Sequence, residues 1–293
     1  MRPQSSALAL IACLCCLCPL ASAADQASGE VTVKKLGAIS PTHATAYHVR
    51  DHRNARATQT EILLTDVAVD AAEVQSAFDP HMTAINLEPL KDRNYVLLWV
   101  GADGRVGMNA TFSKTMTQFL NDTTDGLKVE WKSSAATRLD GRIFSAGPLK
   151  TLDGTTYTVD LKFAVDVPAP PVGTALPAGG GDPGKALTAL VAAAKKKNWA
   201  GIRAGSSPAA LKMFDKSYNT EAENADSARD LLQAWLPMEK MKVTGGQLHG
   251  DVAVLDVEGD VFPGQPGLSI AQMRKTGNVW QFDRAMRAGM VQD

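Results

Sequence analysis

Residues Thr155–Ala194 read TTYTVDLKFAVDVPAPPVGTALPAGGGDPGKALTALVAAA, and three regimes follow one another within them. Tyr157, Val159, Leu161, Phe163 and Val165 alternate with polar or small residues, the period-two signature of a half-buried strand. Pro168 to Gly184 then holds five prolines and the run Gly179-Gly180-Gly181, with no apolar periodicity. After Asp182-Pro183, a helix-start signal, Leu187, Leu190, Val191 and Ala194 recur at helical spacing. The stretch predicts a β-rich region on its N-terminal side, a linker over 168–184, and a region that opens with helices on its C-terminal side.

Upstream, the strand pattern continues. Val31 and Val33 alternate with polar neighbours, Glu61-Ile62-Leu63-Leu64-Thr65 is a short apolar run, and Tyr95–Val100 is dense enough for a strand buried on both faces. Ala102-Asp103-Gly104 is a turn signal, and Arg105–Phe112 returns as the hairpin partner. Only Ala71–Phe78, with Asp70 as N-cap, reads as a helix. Seven or eight short strands over 30–167 predict a β-sandwich of immunoglobulin-like architecture.

Downstream, a helix is predicted from Ser207-Pro208 with Leu211 and Phe214 on one side. Another carries Ala228, Leu231, Leu232 and Trp235 and stops at Pro237. Lys242–Leu248, Val252–Gly259, Leu268–Arg274 and Val279–Arg284 then read as four strands. The expectation over 185–293 is an α+β cone: three helices packed on a curved four-stranded antiparallel sheet.

The N-terminus sets the expected compartment. Arg2, the apolar run Ala7–Leu20 and Ala21-Ser22-Ala23 have the order of an export signal over 1–23. The run is shorter than the ~20 apolar residues of a membrane span. A periplasmic or secreted bacterial protein follows, with Leu10-Ile11-Ala12-Cys13 leaving lipid anchoring at Cys13 as the alternative. Cys13, Cys15, Cys16 and Cys18 are the four cysteines and all precede the cleavage site. The exported chain is therefore expected to lack disulfides, thiolate nucleophiles and cysteine-bound zinc. With 30 basic and 31 acidic residues there is no basic field to hold nucleic acid.

The motif scan is short. His48 and His52 have the i, i+4 spacing of zinc ligands on a helix, but the segment reads as a strand and polar turn, and position 49 is Val, not the Glu of a metalloprotease. They are weak metal candidates beside a reading as solvated histidines. No serine-nucleophile elbow, phosphate loop or dinucleotide fingerprint occurs, and no cofactor is predicted. Ser207 reads as a helix cap.

Three segments carry a resemblance: ALTALVAAAKKKNWAGI (186–202), LLQAWLPMEKMKVTGGQLHGDVAVLDVEG (231–259) and GNVWQFDRAM (277–286). Over roughly Lys185–Arg287 the chain is similar to the nuclear transport factor two-like superfamily, in particular to lumazine-binding-like domains of exported bacterial proteins. The resemblance implies a cone whose interior can hold Asp, His or Tyr side chains. Asp215, Tyr218 and Asp256 become weak ligand-binding candidates on that ground, while Trp235 and its aromatic neighbours are expected in the core. The expected function is an exported, non-catalytic binding or accessory protein for an unknown small ligand or protein. The alternatives are an enzyme using the cone cavity and an inhibitor or immunity protein of a secreted enzyme. A homodimer through the C-terminal sheet is a further partner the plan allows.

Overall fold

A computed structural model describes residues 25–51, 53–151, 154–217, 219–262 and 264–291. The expected leader over 1–23 with Cys13, and the candidates His52 and Tyr218, lie outside the described residues. The chain runs β1 (Gln26–Val33), β2 (Gly37–Ile39), β3 (His43–Arg50), β4 (Thr58–Thr65), α1 (Ala71–Ser76), α2 (Pro80–Asn86), β5 (Tyr95–Val100) and β6 (Val106–Phe112). Next come β7 (Thr117–Asp122), β8 (Leu127–Ala135), β9 (Arg138–Ser145), β10 (Leu149–Lys150), β11 (Thr156–Asp166) and β12 (Thr174–Leu176). The helices α3 (Gly181–Lys195), α4 (Trp199–Ala204), α5 (Pro208–Phe214) and α6 (Glu221–Trp235) follow. The last strands are β13 (Glu239–His249), β14 (Val252–Phe262), β15 (Gln265–Thr276) and β16 (Val279–Met290). The fold is mostly β, in antiparallel sheets, with few helices.

The first sheet has the order β2-β1-β11-β9-β8, with β10 also on β11; the second is the meander β3-β4-β5-β6-β7. One face of each meets the other over a shared apolar core. The alternating residues Tyr157 to Val165 of β11 are all buried there, against Ile62 and Leu64 of β4, Val96 and Leu98 of β5 and Met108 of β6. Two packed sheets are thus present, but the strand order is not that of an immunoglobulin domain. There the chain crosses between sheets in Greek-key fashion, whereas here one sheet is laid down as five consecutive strands.

The back of the second sheet is also covered, which explains why β5 is apolar on both sides. Tyr47, Leu63, Tyr95 and Leu97 form a smaller core with Val74 of α1 and Ala84 of α2. Asp70 caps α1 as expected, accepting from the Ala72 and Glu73 amides. Helix α2 was not anticipated. Its signal is Asp79-Pro80: Asp79 accepts from the Met82 amide and Pro80 occupies the first turn.

The C-terminal elements pack differently. Leu187, Leu190, Val191 and Ala194 of α3 and Ala228 and Leu232 of α6 bury against Val243, Leu255, Met273 and Phe282 of the third sheet. That sheet is five-stranded, β12-β13-β14-β15-β16, and not four-stranded. Four helices are described before it, because α4, capped by Asn198, adds one to the three expected. The linker expected over 168–184 is also shorter than its composition suggested. Thr174–Leu176 pair with β13, the Gly179 amide donates to the Val243 carbonyl at 2.9 Å, and α3 starts at Gly181. Gly180 turns the chain there at φ 69°, and a Cβ on it would lie 2.8 Å from Val243 and 2.9 Å from Leu255. The glycines take positive φ where the backbone turns against the sheet.

The sandwich and the third sheet touch directly. Arg50 meets Asp256 at 2.7 Å, Arg56 grips Glu258 with two hydrogen bonds of 3.0 and 3.1 Å, and the Ala55 amide donates to the Met290 carbonyl at 3.1 Å. Ala55, Leu268 and Val291 form a small apolar cluster beside these pairs. Among the described residues no helix is long and apolar enough to cross a membrane.

Candidate functional site

On β4, Gln59, Glu61 and Leu63 point away from the sandwich core, because Ile62 and Leu64 point into it. Antiparallel register then sets a single rung across the sheet's back: Tyr47 opposite Glu61, Glu61 opposite Trp99, and Trp99 opposite Gly107. The missing side chain at Gly107 makes room for the indole, since a Cβ there would lie 2.1 Å from the ring. Helix α2 crosses above this rung and delivers His81 onto the carboxylate. His81 Nδ1 sits 2.9 Å from Glu61 Oε2, and Gln59 Nε2 donates to Glu61 Oε1 at 3.3 Å.

Burial makes this pair unusual. The Glu61 side chain is only 6 % exposed, while that of His81 is 40 % exposed. A buried carboxylate is tolerated where donors surround it, and the hydrogen bond to Glu61 raises the His81 pKa above the ordinary histidine value against the opposing effect of burial. Glu61 and the nearby Asp79 add a favourable field for the imidazolium. Tyr47, fully buried on the same rung, is pushed well above the usual tyrosine range by burial first and by Glu61 second. Its hydroxyl has no well-aligned hydrogen-bond partner among the described residues, so it feels the carboxylate chiefly as charge.

Gln59, Glu61 and His81 form the floor of a cleft of about 470 Å³, with Tyr47 buried beneath it and outside its lining. Val49, Leu97, Trp99 and Leu120 of the second sheet supply one wall, and Met286, Arg287 and Ala288 of β16 supply the other. The sandwich alone does not complete it. Contacts from the sandwich hold the third sheet in place: Arg50 pairs with Asp256 of β14, the Ala55 amide donates to the Met290 carbonyl of β16, and Arg284 of β16 lies 5.0 Å over the Phe78 ring. Such a cleft, mostly apolar with a few convergent polar groups, has the character of a small-molecule site.

The residues singled out in the sequence lie elsewhere. His48 is a half-buried residue of β3, not of a helix, with Nδ1 3.3 Å from the Thr60 hydroxyl and a pKa lowered by burial. Among the described residues no group of three potential ligands could hold a metal ion. Asp256 faces the sandwich and binds Arg50, so it does not point into a cone interior. Asp215 is exposed at the end of α5 and accepts from the Asn224 amide at 3.1 Å, joining α5 to α6. The interior where such candidates were sought is filled by aromatic rings, Phe214 and Phe282 stacked at 6.2 Å and Trp235 6.5 Å from Phe282. Ser207 does cap α5, and it also donates to the buried Asp283 at 2.7 Å, which pins the helix to β16.

Sequence reasoning passed over Glu61 and His81. Glu61 opens an apolar run and was read with it, and His81 is isolated in sequence; neither carries a spacing signal. The one local cue was a charged residue at a position that alternation with Leu63 places on a covered face. No protein-family model matches this chain, no curated protein matches it, and no solved structure matches it.

Proposed function

We propose that the chain is an exported, non-catalytic binding protein with two domains, a β-sandwich and a nuclear transport factor two-like region, and that its ligand site is the cleft over Glu61 and His81. The observation that supports this reading is the buried Glu61–His81 pair at the floor of an apolar cleft. A polar pair placed under a space large enough for a small molecule gives that molecule an orientation as well as an apolar surface. The proposed compartment, periplasmic or secreted, rests on the leader pattern of residues 1–23.

A second reading is favoured by the same pair. A histidine held by a carboxylate is a general-base arrangement, and this would make the protein an enzyme working at the cleft. Its lining contains no hydroxyl or thiol nucleophile, so such chemistry would run through water.

Binding of the neutral dye N-phenyl-1-naphthylamine tests the site. Leu120 is 65 % exposed at the cleft and Val172 is 91 % exposed elsewhere, so both accept a charge without unfolding the chain. Leu120→Arg is expected to weaken the dye about tenfold or more, roughly the loss of 1.4 kcal/mol of apolar contact, and Val172→Arg to leave it unchanged. Equal affinity for both variants and the wild type would remove the cleft as the site.

A further inference from the structure

We infer that the cleft takes a small apolar carboxylate, with its hydrocarbon body against Val49, Leu97, Trp99 and Met286 and its carboxylate on the Nε2–H of His81. The inference rests on the binding reading above and adds the ligand's charge and the group that meets it.

The geometry assigns the donor. His81 Nδ1 is committed to Glu61 at 2.9 Å, which leaves Nε2, on a side chain 40 % exposed and lining the cleft, as the nitrogen to meet a ligand. The bond to Glu61 favours the imidazolium, and an imidazolium carries a proton on both nitrogens. Nε2 is therefore a charged donor, at the edge of a cleft whose walls are mostly apolar. A neutral hydrocarbon entering that cleft would expel the water that serves this donor and leave it without an acceptor. A carboxylate replaces the water with a charge-assisted hydrogen bond.

The rest of the lining agrees. Of the other charged groups in the lining, Arg50 is paired with Asp256 at 2.7 Å, Arg287 donates to the Gln233 carbonyl at 3.2 Å, and Glu61 and Asp79 are engaged inside the protein. Glu61 accepts from His81 and Gln59, and Asp79 accepts from the Met82 amide. A volume of about 470 Å³ suits a bicyclic aromatic acid or one of similar bulk.

The test compares 2-naphthoate with its neutral methyl ester, on the full chain, by displacement of N-phenyl-1-naphthylamine at about pH 6, where an ordinary histidine is already largely protonated. The acid is expected to bind about tenfold tighter than the ester, the margin of one charge-assisted hydrogen bond. His81→Gln should bring the acid to within about twofold of the ester, read as the acid-to-ester ratio within that variant. Equal binding of acid and ester by the wild-type protein overturns the inference without needing any variant, and it leaves the cleft as a binding site. Dye that binds but is displaced by neither compound also overturns it. Absence of dye binding to the wild type removes the binding reading itself.

Discussion

The molecule covers two sheet faces with helices, and the two covers differ in what they leave beneath them. The third sheet is covered by α3 and α6, each 15 residues long, whose apolar stripes lie along it. The space between is filled by Phe214, Phe282 and partly by Trp235. The back of the second sheet is covered by α1 and α2, of 6 and 7 residues. At 1.5 Å per residue such helices span only about 10 Å, too little to roof a sheet of five strands. At the edge of this cover lie the buried Gln59 and Glu61, with Trp99 and Asn109 beyond them, and the face becomes a cleft where β16 approaches. Helix length thus decides which face is filled and which keeps a cleft.

The largest effect that could break this comparison is in the core. Phe282 is fully buried among rings, and Phe282→Ala should cost about 3–5 kcal/mol of stability in chemical denaturation. Trp235→Ala should cost less, since Trp235 is only half-buried. The reverse order would mean that the space under α6 is a pocket after all.

A smaller effect is expected at the cleft. His81→Ala leaves the Glu61 carboxylate with Gln59 as its hydrogen-bond donor, and the loss should be about 1–3 kcal/mol, towards the low end because His81 is partly solvated. The pH dependence has a definite sign. A histidine whose pKa is raised on folding contributes fully below its unfolded value of about 6.5 and loses the contribution as pH rises through the folded value. The groups around it are Glu61 on β4, Asp79 at the head of α2, Tyr47 and Arg50 on β3 and Arg287 on β16. The stability difference between wild type and His81→Gln should therefore shrink as pH rises above neutrality. A difference that grows would place the proton elsewhere.

The contact between the two regions should give the smallest effect. Arg50 and Asp256 are each about one-third exposed, and a double-mutant cycle on them should return about 1 kcal/mol or less, falling with added salt. A coupling well above that would mean that the junction, and not the two cores, governs stability.

What the sequence disclosed follows the same division. The alternation of Tyr157 to Val165, the double-sided β5 and the α3 and α6 stripes were legible, because burial over a long element repeats and leaves a period. Asp70 was legible because capping is local. The strand β12 was hidden because three residues are too few to show a period, and the prolines and glycines around it spoke for a linker. The site was hidden for another reason. Tyr47, Glu61 and Trp99 are neighbours only through strand register, and His81 arrives from a short helix whose Asp79-Pro80 start could have been read but gave no hint of what the helix covers. Asp256 was found as a charged residue in a strand, yet its partner Arg50 lies on a different sheet.

The most direct measurement maps the bound dye. Amide and side-chain resonances of the full chain, recorded with and without N-phenyl-1-naphthylamine, separate the two covered faces in one experiment. The account predicts shifts at Glu61, His81, Trp99, Asn109, Leu120 and Met286, with Phe214, Trp235 and Phe282 unmoved. Shifts gathered on Phe214, Trp235 and Phe282, with His81 silent, would contradict it.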